Sequence, residues 1–376
     1  MIGLGEGNGP QSRRFLRPHQ IRLGTGLQDA QLNCFELADF PCTFYITSQG
    51  PPAVACMSNA VKQYILLLIA MFFWGASWSS TKVLVSIAQP MTIGFFRYSV
   101  AAMLFTVLLG FERKTPWSLF TRSTYRSLVL AGVTGIFAFI VLSIIGTGYS
   151  TAGQASIIAG LNPVTVTLFA YFVHRERLTN TWQYSGFVLA FLGIVFVVGV
   201  QYLVEFNAGY LTGNIILVAA MVLWGAYSAA SKSAMKTLGS IEVTAGSVYV
   251  GWLMFGVGSL TETGSIGSAV SSWTFWLNVL FLGAFSTVLG FTIFVDSIGK
   301  IGATRTGAFN SFVPIFGVAA SIVLLGEAVY WTTALGLVFV VLGLLIINAP
   351  TADKPQPGTS SDNAKHKNHG FESHGS

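Results

Sequence analysis

Apolar residues dominate ten stretches of the chain, each about 20 residues long, and short polar loops separate them. An α-helix rises about 1.5 Å per residue, so a run of that length crosses a hydrocarbon core of about 30 Å. The pattern therefore predicts an all-α membrane protein. Ten transmembrane helices are predicted at residues 63–88, 91–111, 125–147, 152–173, 181–202, 213–235, 241–261, 274–297, 303–326 and 330–348.

The composition supports a membrane protein. Of the 376 residues, 53% are hydrophobic and 9% are charged, whereas a soluble globular domain contains about 25% charged residues. The net charge of +6 does not indicate a nucleic-acid partner, because the basic residues lie in the tails and between the apolar runs. All three cysteines, Cys34, Cys42 and Cys56, precede the first run, and the sequence predicts no cofactor and no metal site.

The two ends of the chain lack apolar runs. Residues 1–60 show no periodic pattern and Met57 stands just before the first run, so we predict that translation starts at Met57. The alternative is a translated, disordered N-terminal tail. Residues 349–376, rich in Pro, Ser, Asn, His and Lys, are predicted to form a solvated tail.

Basic residues fall in every second loop. If the N-terminus lies inside, the inner loops contain eight basic residues and the outer loops contain none. Basic loops stay on the cytoplasmic side, so the pattern predicts a multi-pass protein of the cytoplasmic membrane with both termini in the cytoplasm. The eight residues are Arg113, Lys114, Arg122, Arg126, Arg175, Arg177, Lys236 and Lys300.

The first helix and the sixth share a motif. Trp74–Lys82 reads W-G-A-S-W-S-S-T-K and Trp224–Lys232 reads W-G-A-Y-S-A-A-S-K, at an offset of 224 − 74 = 150 residues. Each half contains five spans, so the second half must enter the membrane in the opposite orientation, as in inverted-repeat transporters. We place the repeats at 61–202 and 213–348, with a linker at 203–212. Further pairs recur at offsets of 150 or 151: Pro163 and Pro314, Glu176 and Glu327, Gly186 and Gly336, Gly193 and Gly343.

These motifs resemble those of the drug/metabolite transporter superfamily, specifically EamA-like ten-helix permeases. The resemblance runs from about Gln63 to Asn348. It rests on the paired Trp-Gly motifs, the R-Y-S-V-A-A stretch that begins at Arg97, the Asn-Pro and Val-Pro turns, and the Glu with spaced glycines that closes each half. It implies export, or sometimes import, of amino acids and related small metabolites. Small multidrug pumps of the superfamily have an acidic residue in helix 1, and its absence here disfavours their antiport mechanism.

Two basic residues lie inside predicted spans. Lys82 is about six residues from the end of helix 1 and Arg97 about seven from the start of helix 2, so we expect them at similar depth. A Lys or Arg at a helix centre costs about 2.5–3.5 kcal/mol, so such residues normally face a cavity or a partner. An anionic solute group such as a carboxylate is a candidate partner. The alternative is that both side chains extend to the headgroups.

Prolines interrupt helices 4 and 9 near their midpoints. Pro163 and Pro314 each remove one backbone hydrogen bond, and matched interruptions in two halves indicate a transporter's binding site. Asn162 lies beside the first break and Asn310 one turn before the second, where their amides could bind a polar solute. The alternative is a structural kink without ligand contact. Aromatic residues of the duplicated motif are candidate walls of the solute site: Trp74, Trp78 and Trp224.

Charged and polar residues near helix ends are candidate gates or coupling groups. Lys232 and Asp296 end helices 6 and 8 and could form an inner ion pair, or could simply face water. Gln154 and Arg305, at an offset of 151, begin helices 4 and 9, where free amide groups favour anions.

The function favoured by these features is a secondary transporter that moves amino acids or related carboxylate-bearing metabolites by alternating access, with export favoured over import. The alternatives are a carrier of drugs, nucleotide sugars or organic phosphates, and an intramembrane enzyme, for which no paired nucleophile and base is found. The predicted partners are a small solute and the lipid bilayer. A coupling proton or ion and a homodimer are left open.

Overall fold

The computed structural model describes residues 59–175, 182–197, 208–301, 306–307 and 309–347. Met57, Arg305, Glu176 and both tails lie outside these residues, so the predictions made for them stay predictions.

Ten helices lie within the described residues. Seven of them are long and apolar enough to cross a membrane, and the other three, α5, α9 and α10, are apolar helices of 10–17 residues. The all-α membrane fold predicted from the apolar runs is confirmed. The helices are α1 (Asn59–Leu84), α2 (Pro90–Phe111), α3 (Tyr125–Tyr149), α4 (Ala152–His174), α5 (Trp182–Val195), α6 (Ala208–Ala234), α7 (Ser240–Ser271), α8 (Trp273–Ile298), α9 (Phe309–Leu325) and α10 (Trp331–Ile347).

Helix α1 ends four residues earlier than predicted. It stops at Leu84, and residues 85–88 form a turn. Pro90 disfavours the α conformation at Gln89, which is extended with φ −82° and ψ 160°, but it does not explain why the helix ends before residue 85. The early end places Lys82 in the last turn of α1.

The two halves pack against each other in matched pairs. Helix α1 packs on α8 and α9, and its counterpart α6 packs on α3 and α4; α2 packs on α7, and α5 on α10. Because successive helices alternate in direction, their loops fall on two faces. The basic face holds Lys114, Lys236 and Lys300; the opposite face holds the loops 85–89, 150–151 and 326–330. The packing is that of the inverted repeat.

Side-chain contacts join helices α2 and α7 at both ends. At the opposite face, the Glu262 carboxylate accepts hydrogen bonds from the Met91 and Thr92 amides at 3.1 and 2.8 Å. At the basic face, Lys114 pairs with Glu112 at 2.9 Å and with Glu242 at 3.0 Å. These two hydrogen bonds raise the pKa of Lys114.

The spaced glycines of the two halves allow α5 and α10 to touch. A Cβ on Gly186 would lie 2.8 Å from the Gly343 carbonyl oxygen, and one on Gly193 would lie 2.7 Å from that of Gly336. Small residues permit such backbone contact in a membrane, where no hydrophobic force drives helices together.

Replacing Gly193 with leucine should therefore destabilise the protein by about 1–3 kcal/mol or more, because the side chain would have to displace backbone. The measurement is the thermal midpoint of the purified protein. Gly110→Leu is the matched control, since nothing lies within 4 Å of its Cβ position. Equal midpoints for the two variants would contradict the α5–α10 contact.

Matched irregularities interrupt the helices of both halves. A π-helical segment spans Gly132–Ala138 in α3, and another spans Phe281–Leu289 in α8. A 3₁₀ turn spans Ala159–Leu161 in α4, and another spans Phe309–Ser311 in α9, 150 residues later (309 − 159). The 3₁₀ turns directly precede the regions of Pro163 and Pro314. Such π segments occur frequently at functional sites.

Candidate functional site

The tryptophans of the duplicated motif meet at one phenylalanine. The rings of Trp74 on α1 and Trp224 on α6 have centroids 5.3 and 6.2 Å from that of Phe291 on α8. Trp224 also contacts Phe139 at 5.0 Å and Tyr227 at 4.9 Å. The two halves thus contribute equivalent aromatic residues to a single cluster in the middle of the protein.

The π segment of α8 positions Trp74. The Trp74 indole donates a hydrogen bond to the Ser286 carbonyl at 3.0 Å, inside the π segment. A Cβ on Gly290 would lie 2.7 Å from the same indole nitrogen, so only glycine leaves room there. Trp78, one turn further along α1, packs in the main hydrophobic core.

Arg97 on α2 is a cation with neutral neighbours. Its Nη2 donates to the Thr287 hydroxyl at 3.2 Å, and its guanidinium lies 5.3 Å from the centre of the Tyr98 ring. Its Nε is buried and has no hydrogen-bond acceptor. Within the part of the chain that the structure describes, no carboxylate pairs with Arg97. An uncompensated cation at this position favours an anion.

Thr287 was not predicted as a site residue. Its hydroxyl accepts a hydrogen bond from Arg97 and donates one to the Leu282 carbonyl at 2.8 Å. That carbonyl lies five residues earlier in the chain, within the π segment. The consecutive polar residues Ser286 and Thr287 within an apolar run were the available signal.

Lys82 binds backbone carbonyls at the end of α3. Its Nζ donates to the carbonyl oxygens of Thr147 at 2.9 Å, Gly148 at 2.9 Å and Ser150 at 2.6 Å. An ammonium has three donors, so all are used. Lys82 lies two residues from the end of α1 (84 − 82) instead of the six predicted, and Arg97 lies seven residues from the start of α2 (97 − 90).

Glu327 binds the other side of the same turn. Its carboxylate accepts hydrogen bonds from the amides of Ala152 at 2.8 Å and Gly153 at 3.0 Å, which begin α4. Carboxylates stabilise helix N-termini because the first amides have no partner within the helix.

Gln154 lies in a buried polar cluster beside this turn. Its Oε1 accepts from the Ser150 hydroxyl at 2.9 Å and from the Asn214 amide at 3.1 Å, while its Nε2 has no partner. A cavity of about 10 Å³ lies next to Gln154, Ser321 and Glu327. It has room for about one water.

The two asparagines at the helix breaks have unused acceptors. The Oδ1 atoms of Asn162 and Asn310 are buried and accept no hydrogen bond. Pro163 is half-buried and Pro314 is buried. Helices α4 and α9 pack together through Ala152–Ile158, the half of α4 at the opposite face.

Asp296 forms different contacts from those predicted. Its carboxylate accepts hydrogen bonds from Lys300 at 2.9 Å and from Gln63 at 2.9 Å. Among the described ion pairs, Asp296 pairs with Lys300, one helical turn away on the same face, and not with Lys232 as predicted. Lys232 is exposed at the basic face. Gln63, which ties the start of α1 to the end of α8, was missed.

Known proteins are similar to this chain across both of its halves. A sequence model described as the EamA-like transporter family matches residues 61–199 and again 211–349. An uncharacterized transporter of Archaeoglobus fulgidus is 25% identical over 290 residues, which cover 76% of this chain and 99% of that protein. The uncharacterized transporter YyaM of Bacillus subtilis is 25% identical over 283 residues, 75% of this chain and 92% of YyaM.

A solved crystal structure has a similar fold. It superposes with a TM-score of 0.53 at 19% sequence identity and covers 76% of this chain and 96% of that chain. At that identity the likeness bears on the fold alone.

Proposed function

The chain belongs to the EamA-like transporter family and is a multi-pass membrane transporter, and on that premise we propose that it carries small carboxylate-bearing metabolites, amino acids among them, by alternating access. In this proposal it works as a secondary transporter in the cytoplasmic membrane. The basic face and both termini lie in the cytoplasm, and the net direction is export.

The observation that carries the substrate class is the environment of Arg97. Its described neighbours are a hydroxyl and an aromatic ring, and its Nε–H is buried without an acceptor. A guanidinium cation inside the membrane costs free energy unless an anion binds to it. A carboxylate is the natural partner, since its two oxygens match the guanidinium geometry. The aromatic cluster around Phe291 supplies the apolar walls that solute sites usually have.

The packing of α4 and α9 supports alternating access. Their contact at the opposite face is tight: a Cβ on Gly317 would lie 2.2 Å from the Ser156 Cβ. The second half of α4, Asn162–His174, packs on α6 instead. In this proposal the described conformation is closed at the opposite face. The two inverted halves then exchange conformations, which opens the opposite face and closes the basic face.

The test is transport by purified protein in liposomes. A panel of radiolabelled amino acids and organic anions, each matched with its neutral amide, is measured with and without a proton gradient. We expect uptake of carboxylates and little uptake of the matched amides. Equal transport of carboxylates and amides would overturn the substrate class, and uptake confined to organic phosphates would favour the phosphate-carrier alternative.

A further inference from the structure

The turn between α3 and α4 presents a set of backbone carbonyls to one cation. The carbonyl oxygens of Thr147, Gly148 and Ser150 converge on Lys82 Nζ at 2.6–2.9 Å. The separations to Thr147 and Gly148 lie within the range of about 2.7–3.2 Å that is usual for N–H···O bonds, and the separation to Ser150 lies just below it. The carbonyls lie at a helix C-terminus, where the backbone carries partial negative charge.

We propose that this turn is a cation site for a primary ammonium, that the Lys82 side chain is its resident ligand, and that its occupancy holds the opposite face closed. The inference rests on the proposed alternating access. Beyond that function, the turn binds a primary ammonium, and Lys82, which the sequence predicted to bind the solute, instead holds the opposite face closed.

The elements joined at the turn explain why occupancy closes this face. Lys82 belongs to α1, and the turn belongs to α3 and α4. Glu327, between α9 and α10, binds the amide side of the same turn through Ala152 and Gly153. The cation and the carboxylate therefore bring three separate parts of the protein to one point.

The closure made by these contacts is tight. A Cβ on Gly153 would lie 3.8 Å from the Cβ of Ser321 on α9, and Ser321 is 1% exposed. Ser321 packs against Gly153 in the first turn of α4, directly after the turn that binds Lys82, so separation of α4 from α9 at the opposite face would expose it. Lys82 itself is half-buried, and its bond to Gly148 is exposed, so a small cation can reach the carbonyls.

The experiment measures labelling of Ser321→Cys by a membrane-impermeant methanethiosulfonate in a background without Cys34, Cys42 and Cys56. Right-side-out and inside-out vesicles are both used. Ser268→Cys, exposed on the opposite face, identifies the preparation in which that face is accessible.

Removal of the resident ligand should open the face. We expect Lys82→Ala to raise the labelling rate at least about tenfold, the change that about 1.4 kcal/mol produces. Ammonium or methylammonium chloride should restore protection, because each supplies N–H donors to the carbonyls, whereas tetramethylammonium should not. Lys232→Ala, at the repeat-related position on the basic face, is the matched control and should cause no rise.

The outcomes separate this inference from the proposed function, since labelling requires no solute. Unchanged labelling in Lys82→Ala would overturn the role of the cation in closure. A rise that methylammonium does not reverse would overturn the cation site, because lost packing would then be the cause. If Lys82→Ala does not fold, Lys82→Met, which keeps the aliphatic stem and removes the ammonium, is used instead, and unchanged labelling in that variant would overturn the role of the cation in closure. Failure of the liposome panel would affect the substrate class alone.

Discussion

Oxidation of a Gly153→Cys/Ser321→Cys pair should abolish transport, and reduction should restore it. The Cβ positions lie 3.8 Å apart, within the range of about 3.5–4.5 Å that a disulfide requires. The bond would join α4 to α9 at the opposite face and prevent that face from opening. The measurement is solute uptake by liposomes before oxidation, after oxidation, and after reduction, in a background without the three native cysteines.

A matched pair separates this effect from cross-linking in general. In Met91→Cys/Gly258→Cys the Cβ positions lie 3.4 Å apart, also near the opposite face. They join α2 to α7, which are held together at both faces by Glu262 and by Lys114. We expect this disulfide to leave transport intact. Full transport through the oxidised Gly153→Cys/Ser321→Cys pair would refute alternating access between α4 and α9.

Arg97→Met should remove carboxylate transport while the protein remains folded. Loss of one member of a buried charge pair costs about 2–5 kcal/mol, which corresponds to a rise in KM of more than about 30-fold for carboxylates. Uptake of any neutral amide that the protein accepts should change little, because no ion pair is lost. KM and kcat are measured for each carboxylate and its amide.

Arg126→Met is the control for this variant. Arg126 also lies beside a tyrosine ring, at 5.7 Å from Tyr125, but it begins α3 at the basic face and is exposed. Its replacement should alter neither the KM for the carboxylates nor the KM for their amides. If Arg97→Met and Arg126→Met transport carboxylates equally well, Arg97 does not bind the solute.

The features predicted correctly are those that depend on residues close together in the chain. Hydropathy over about 20 residues determines whether a helix can span a bilayer, and an internal repeat is visible as similarity at a fixed offset. The spaced glycines of α5 and α10 were visible for the same reason. The end of α1 was misplaced because an apolar turn at residues 85–88 cannot be told from helix by hydropathy.

The contacts of the charged residues required the tertiary structure. Lys82 binds carbonyls that are 65 to 68 residues away in sequence, and Glu327 binds amides 174 and 175 residues away. Every residue has a backbone carbonyl, and nearly every residue has an amide. Side-chain identity therefore does not indicate which of these groups will lack a partner within a helix and be available to Lys82 or Glu327. The sequence held no signal for the π segments either; the polar pair Ser286 and Thr287 was a signal only for the polar contact with Arg97.

The sequence by itself therefore determined the membrane class, the ten helices and the inverted repeat, because hydropathy and repetition are properties of the chain. Only the tertiary structure decided that Trp74 and Trp224 meet at Phe291, that Lys82 is bound while Arg97 lacks an anion, and that Asp296 pairs with Lys300. Those relations depend on the distance between helices of different halves, which packing sets and local pattern does not record.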